Sequence, residues 1–185
     1  MILYRCFAWN SGARERDADG PLWFPRDYQG EGRHDNPDTY GCLYLSDRPV
    51  SSVVEQLAAF RGQRLIAALL RRRGLPLALA QLELDDSRTP LLDLDDPAVL
   101  RRERLRPSRV ATRSRTVTQP LALALFRSHP RAAGLRWWST WESLWTNVTV
   151  FDRAARALSV ARVEPLSLEH PAVLEAADFF GLRVV

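Results

Sequence analysis

Gly41-Cys42-Leu43-Tyr44-Leu45-Ser46-Asp47-Arg48-Pro49 changes its period within a few residues, and that change decides the fold class. Residues 42–45 form a short apolar and aromatic run suited to a strand. Ser46-Asp47-Arg48-Pro49 then has the form of a helix start, with a capping oxygen just ahead of a proline in the first turn. That helix is expected to run to about Phe60 and stop at Gly62.

Upstream, residues 2–7 alternate and predict a first strand, followed by a polar stretch from 10 to 40 that glycine and proline punctuate. This stretch holds Trp23, Phe24, Tyr28 and Tyr40, more aromatics than a linker needs, so it is expected to pack down on the domain. Downstream, residues 63–73 predict a second helix ending at Gly74, with its last arginines opposing the negative end of the helix dipole. Strands are expected over 77–84 and 91–94, a helix over 97–105 capped by Asp95 or Asp96, and a helix from Thr118-Gln119-Pro120 through Arg127. Three more strands, at 135–139, 147–152 and 158–163, lead to a closing helix over 171–180 with Val173, Leu174, Ala177 and Phe180 on one face. No βαβ rhythm or internal repeat is visible, so the architecture is α+β rather than doubly wound. A length of 185 residues suits one domain, residues 1–185.

Hydrophobic residues at 46% and charged residues at 26% describe a globular chain. All 26 basic residues are arginine, which removes Schiff-base and P-loop lysine chemistry. Cys6 and Cys42 form no CxxC pair, the opening has no signal-peptide pattern, and no apolar run approaches the roughly 20 residues that span a bilayer. A cytoplasmic protein without disulfides or membrane contact is the expectation. The three histidines stand singly, and Asp85, Asp86, Asp93, Asp95 and Asp96 lack calcium-loop spacing, so they are read as turn and cap formers and no metal is expected. Arg101, Arg102, Arg104, Arg106, Arg109, Arg113 and Arg115 face one acid, Glu103, which is the strongest nucleic-acid signal in the chain.

No G-x-S-x-G elbow, Walker loop, G-x-G-x-x-G or H-E-x-x-H is present. What remains is Gly32-Arg33-His34-Asp35-Asn36-Pro37, the 41–46 strand with Tyr44, Glu55 on the following helix, and Trp137-Trp138-Ser139. Arginine offers a forked donor to a diphosphate, tyrosine a flat face to a base, and a carboxylate can stabilise positive charge on a sugar. Such a set suits cleavage of an N-glycosidic bond through an oxocarbenium-like transition state. Structural alternatives stand beside it: Arg33 as an anchor for the long loop onto Asp35 or Asp38, Tyr44 as a sheet residue, His34 as an exposed loop histidine, and Ser139 as a strand terminator with Ser143 competing. Glu55, between Val53-Val54 and Leu57-Ala58, falls close to an apolar stripe where a carboxylate needs a partner or a task. The tryptophans at 137, 138, 141 and 145 suit core or interface packing, including a homodimer contact.

These segments resemble the RES-domain family, named for its arginine, glutamate and serine. Leu3-Tyr4-Arg5 resembles the family's opening strand, and Gly32-Arg33 its Gly-Arg loop. Gly41-Cys42-Leu43-Tyr44-Leu45-Ser46 with Glu55 resembles its strand-to-helix block, and Leu135-Arg136-Trp137-Trp138-Ser139 its late strand. The resemblance implies an ADP-ribosyltransferase-like split core of two small, mainly antiparallel sheets with flanking helices. It also implies a toxin of a bacterial toxin–antitoxin pair that consumes NAD by hydrolysis, by phosphorolysis with inorganic phosphate as co-substrate, or by ADP-ribosyl transfer. An antitoxin with a helix-turn-helix region is the implied partner.

Carried over residue by residue, Arg33 binds the NAD phosphates or ribose, Tyr44 packs on the nicotinamide side, Glu55 stabilises the ribosyl cation, and Ser139 orients the ribose or Glu55. His34, Asn36 and Trp138 complete the implied NAD contacts. The chain departs from the pattern after Arg33, where His34 and Asp35 stand for the usual aromatic and asparagine and Asn36 comes one place late. Two other classes compete: an arginine-rich nucleic-acid module over residues 101–115, and a RES fold serving as a non-catalytic protein-binding scaffold.

Overall fold

A computed structural model describes residues 1–87 and 89–185. In chain order the elements are β1 (Ile2–Ala8), β2 (Cys42–Ser46), α1 (Pro49–Leu57), β3 (Arg64–Leu65), β4 (Arg71–Arg72), β5 (Leu75–Leu84), β6 (Leu91–Asp93), α2 (Pro97–Arg102), α3 (Pro107–Val110), α4 (Arg115–Ser128), β7 (Gly134–Trp138), β8 (Thr146–Phe151), β9 (Leu158–Pro165), α5 (Pro171–Phe180) and β10 (Arg183–Val184). Among the described residues no helix is long and apolar enough to cross a membrane. The chain divides into two compact units. The first comprises Met1, Phe24–Tyr44 and Leu84–Leu158; the second comprises Ile2–Trp23, Leu45–Glu83 and Ser159–Val185.

In the first unit the strand order runs from the start of β2 through β8 and β7 to β6. β7 and β8 are antiparallel, with Leu135 opposite Thr149, and β6 joins β7 in parallel. Their apolar side chains meet those of α2, α3 and α4 in a core that includes Tyr40, Leu94, Val110, Leu125, Trp137 and Phe151. Asp96 caps α2 by accepting the Ala98 N–H at 2.8 Å, and Asp93 accepts from Arg136 at 2.7 Å, so these aspartates serve as cap and ion-pair partner. The helix expected from Thr118 begins one turn earlier, at Arg115, with Pro120 inside it. Thr118 is thereby released from capping and points its hydroxyl elsewhere, as described below.

In the second unit β5 runs antiparallel to β1 over its whole length, from Ile2 opposite Glu83 to Ala8 opposite Leu77. β9 also pairs with β5, and the end of β2 meets β1 at Ser46 opposite Tyr4. Val50, Val53, Val54 and Leu57 bury one stripe of α1, as the i, i+3, i+4, i+7 spacing demands. No side chain caps its start, where the sequence suggested one; Arg48 holds the N-cap position and Pro49 opens the helix. The buried face of α5 is Ala172, Val173, Ala176 and Ala177, with Leu174 exposed, which corrects the face expected from Val173, Leu174, Ala177 and Phe180.

The helix expected over 63–73 does not form. Its place is taken by β3, a 3-10 turn over Ala67–Leu70, and β4. Arg73 and Gly74 both have positive φ, 49° and 80°, and link Arg72 to Leu75 as a two-residue hairpin turn. Of the arginines read as dipole partners, Arg72 donates to Leu69 O and Gln56 O with its guanidinium over the Phe60 ring, and Arg73 pairs with Asp19 at 2.5 Å.

The 10–40 stretch does pack down. Within the second unit, Arg5 is only 8% exposed and donates to Gly20 O at 3.3 Å and Pro21 O at 2.5 Å, while burial lowers its pKa to about 10. Replacing it by methionine keeps the volume but orphans both carbonyls. Arg5→Met is therefore expected to cost about 2–3 kcal/mol in urea unfolding and to open the 10–23 segment to trypsin. An unchanged midpoint and digestion pattern would count against Arg5 as the anchor.

Candidate functional site

The described residues of the first unit gather most of the candidates around one buried carboxylate that sequence reasoning passed over. Asp35, 5% exposed, accepts the N–H groups of Gly30 at 2.8 Å and Gly32 at 2.6 Å on one oxygen. Its other oxygen accepts the Tyr44 hydroxyl at 2.7 Å and the Cys42 thiol at 3.4 Å. Tyr44 in turn accepts the backbone N–H of His34 at 2.8 Å, so β2 holds the loop at two points. A Cβ on Gly32 would lie 2.5 Å from both Asp35 Oδ1 and the Tyr44 oxygen, so the close approach requires glycine. Burial first and the Asp35 carboxylate with it push the Cys42 thiol and the Tyr44 phenol well above their ordinary values.

The start of α4 holds the loop from the other side. Thr118 Oγ1 donates to Arg33 O at 2.6 Å, and the Gln119 amide donates to Gly30 O at 2.8 Å and Gly32 O at 2.9 Å. Asn36 returns its side-chain amide to Gln119 O at 3.0 Å and to the Tyr40 hydroxyl at 2.9 Å, which itself donates to His34 O. Gln29 pairs with both backbone groups of Cys42.

Arg33 is half-buried, and its Nη1 donates to Val110 O at 2.7 Å and Thr112 O at 2.6 Å. Its guanidinium carbon lies 4.5 Å from the centroid of the Trp137 ring. It does anchor the loop, and the contacts that do so are to these two carbonyls.

His34 is not the exposed loop residue expected from its polar neighbours: it is 2% exposed. Its Nδ1 lies 2.8 Å from Thr149 Oγ1, which also accepts the Trp137 indole N–H at 3.2 Å. Because indole only donates, Thr149 accepts from Trp137 and still has its own proton and a second lone pair to meet Nδ1. Burial first and Arg33 second lower its pKa to about 3, so the ring is neutral.

Trp138 is half-buried against the first unit's core. Ser139, 2% exposed, accepts the Trp141 N–H on its hydroxyl at 3.1 Å and donates its own N–H to Trp145 O at 2.8 Å. It pins the turn after β7, whereas Ser143 is exposed. Glu55 lies in the second unit, exposed on α1 and outside the buried stripe of Val50, Val53, Val54 and Leu57. The sequence places it close to that stripe; the helix turns position 55 out to the exposed side.

Of the residues missed, Asp35 had a local signal, since an aspartate shortly after two glycines is an Asx-type loop former. Gln119 and Thr149 had none, because their partners are distant in sequence.

A family model described as the RES domain matches residues 2–171. No curated protein sequence matches the chain. Among solved structures, a chain of the crystal structure of the M. tuberculosis MbcT–MbcA toxin–antitoxin complex is similar, with a TM-score of 0.64 and 18% identity, covering 98% of this chain and 88% of that chain. The family resemblance and the α+β, mainly antiparallel architecture expected from the sequence both hold.

A neutral, buried His34 makes stability depend on pH. Its folded pKa is depressed, so its contribution is complete above the ordinary value of 6.5 and is lost as pH falls towards about 3. Between pH 7 and pH 5, wild type should lose about 2 kcal/mol more than a His34→Gln variant in urea titrations. Parallel losses in the two proteins would rule out a neutral buried imidazole.

Proposed function

The chain belongs to the RES-domain family, and from that premise we propose that it is an NAD-consuming enzyme that cleaves the nicotinamide–ribose bond, serving as the toxin of a type II toxin–antitoxin pair. The observation that carries this reading is the fixed guanidinium of Arg33, pinned by two carbonyls and lying over Trp137. A guanidinium held this way has lost its side-chain freedom before any ligand arrives, which suits a phosphate or ribose-phosphate contact. Tyr44 and His34 support it from behind through Asp35 and Thr149.

In the proposed reaction the C1′–N bond breaks with its electron pair moving onto the pyridinium nitrogen, so neutral nicotinamide leaves and a ribosyl oxocarbenium ion remains. Water, inorganic phosphate or a protein side chain then donates an electron pair to C1′ and loses a proton. Glu55, solvent-exposed on α1, is assigned the carboxylate role towards that cation by family resemblance alone. The proposed partner is a cognate antitoxin with a helix-turn-helix region, a pairing supported by the toxin–antitoxin assembly in which the similar solved chain occurs.

Nicotinamide release from NAD, followed in plain buffer, with phosphate, and with a cell lysate as a source of protein acceptors, tests the reading. Arg33→Ala and Glu55→Gln are each expected to lower kcat/KM by at least about 100-fold while remaining folded. If folded wild type leaves NAD intact under all three conditions, the enzymatic reading fails.

A further inference from the structure

The arginine-rich 101–115 segment is left without a task by the proposed reaction, and its contacts divide it. Arg102 pairs with Glu103 at 2.9 Å, and Arg115 pairs with Glu31 at 2.8 Å. Arg113 is different: among the described residues its guanidinium has no carboxylate partner and instead lies over the Trp141 ring, 4.0 Å from the centroid. A cation–π contact restrains a guanidinium without consuming its N–H donors, so Trp141 holds Arg113 in place while leaving its fork able to bind.

The place of this pair follows from the backbone. Arg33 Nη1 is 2.6 Å from the carbonyl oxygen of Thr112, the residue bonded to Arg113. Standard peptide dimensions then bring the Arg33 guanidinium within about 6 Å of the Arg113 backbone. The platforms share a frame as well. Trp137, under Arg33, belongs to β7, and Trp141, under Arg113, is tied by its N–H to Ser139 at the end of that strand. The result is a pair of arginine–tryptophan stacks joined on one side by the Val110–Thr112 carbonyls and on the other by the Ser139 turn.

We propose that Arg113, oriented by Trp141, is a second phosphate-binding residue beside Arg33, and that the two guanidiniums together hold the diphosphate of a dinucleotide. This rests on the NAD reading and names which further group of the chain would contact the substrate. Two neighbouring cations repel one another in the empty protein, and a dianionic diphosphate relieves that repulsion while offering each fork its own oxygens. Ser139 then acts as a positioning residue, through the turn that carries Trp141.

The test uses calorimetric binding of ADP-ribose, which retains the diphosphate but lacks the scissile bond, alongside NAD kinetics. Arg113→Ala should weaken ADP-ribose binding at least about tenfold and raise KM for NAD with little change in kcat, with Arg113→Lys recovering only part of the loss. Trp141→Ala should give a smaller loss, and Arg101→Ala, a change elsewhere in the run, none. If wild type binds ADP-ribose with this dependence but does not cleave NAD, the enzymatic reading fails and the paired guanidiniums stand. If wild type cleaves NAD and Arg113→Ala keeps both its affinity and its KM, the proposal is overturned and the enzymatic reading stands. Loss of single-stranded RNA binding in Arg113→Ala, with ADP-ribose binding intact, would instead make the segment a nucleic-acid surface and overturn it.

Discussion

The carboxylate of Asp35 is the constraint on which the first unit's candidate site depends. A loop as irregular as residues 30–36 carries backbone donors that neither a helix nor a sheet satisfies, and burying it without partners would cost about 1–3 kcal/mol for each orphaned group. Asp35 collects two of those N–H groups, and the Tyr44 hydroxyl, itself directed at Asp35, collects a third. The carbonyls are met from α4 by Thr118 and Gln119. With the backbone satisfied on both sides, consecutive side chains take different partners: Arg33 reaches the Val110 and Thr112 carbonyls, and His34 meets Thr149.

The all-arginine composition acquires a structural meaning that its sequence statistics do not show. Arg5 bridges Gly20 O and Pro21 O, Arg33 bridges Val110 O and Thr112 O, and Arg153 bridges Phe126 O and Pro130 O. Each of these guanidiniums also lies over an aromatic ring, of Phe7, Trp137 and Phe126 respectively. A planar fork can serve two carbonyls while presenting its face to a ring, and an ammonium cannot do both in a fixed geometry. Arginine thus does in this chain what short helices and turns do elsewhere, holding irregular backbone in place.

The elements legible in the sequence were those whose signal is local. β1 and β5 showed alternation, and the closing helix expected over 171–180 is α5, Pro171–Phe180. The 63–73 segment misled because leucine, alanine and arginine favour helix in isolation, while Arg73-Gly74 can also turn a hairpin, and pairing of β4 with β5 decides between them. The same divide runs through the site. Arg33, Tyr44 and Ser139 were visible from motif context, but the partners of Arg33, Val110 and Thr112, lie 77 and 79 positions away and depend on contacts that no local pattern encodes.

The departures from the family pattern after Arg33 are mutually consistent once the partners are known. His34, standing where an aromatic residue is usual, meets Trp137 edge-on at 5.3 Å and so packs as an aromatic while also satisfying Thr149. Asp35, in place of the usual asparagine, is an acceptor only, and every group it meets is a donor: two backbone N–H groups, a phenol and a thiol. Asparagine there would set one amide nitrogen against donors. The amide function is instead met one place later by Asn36, whose nitrogen finds the Gln119 and His34 carbonyls and the Tyr40 oxygen. The three substitutions redistribute donors and acceptors as a set, and they leave the guanidinium of Arg33 directed at the carbonyls of the arginine-rich segment.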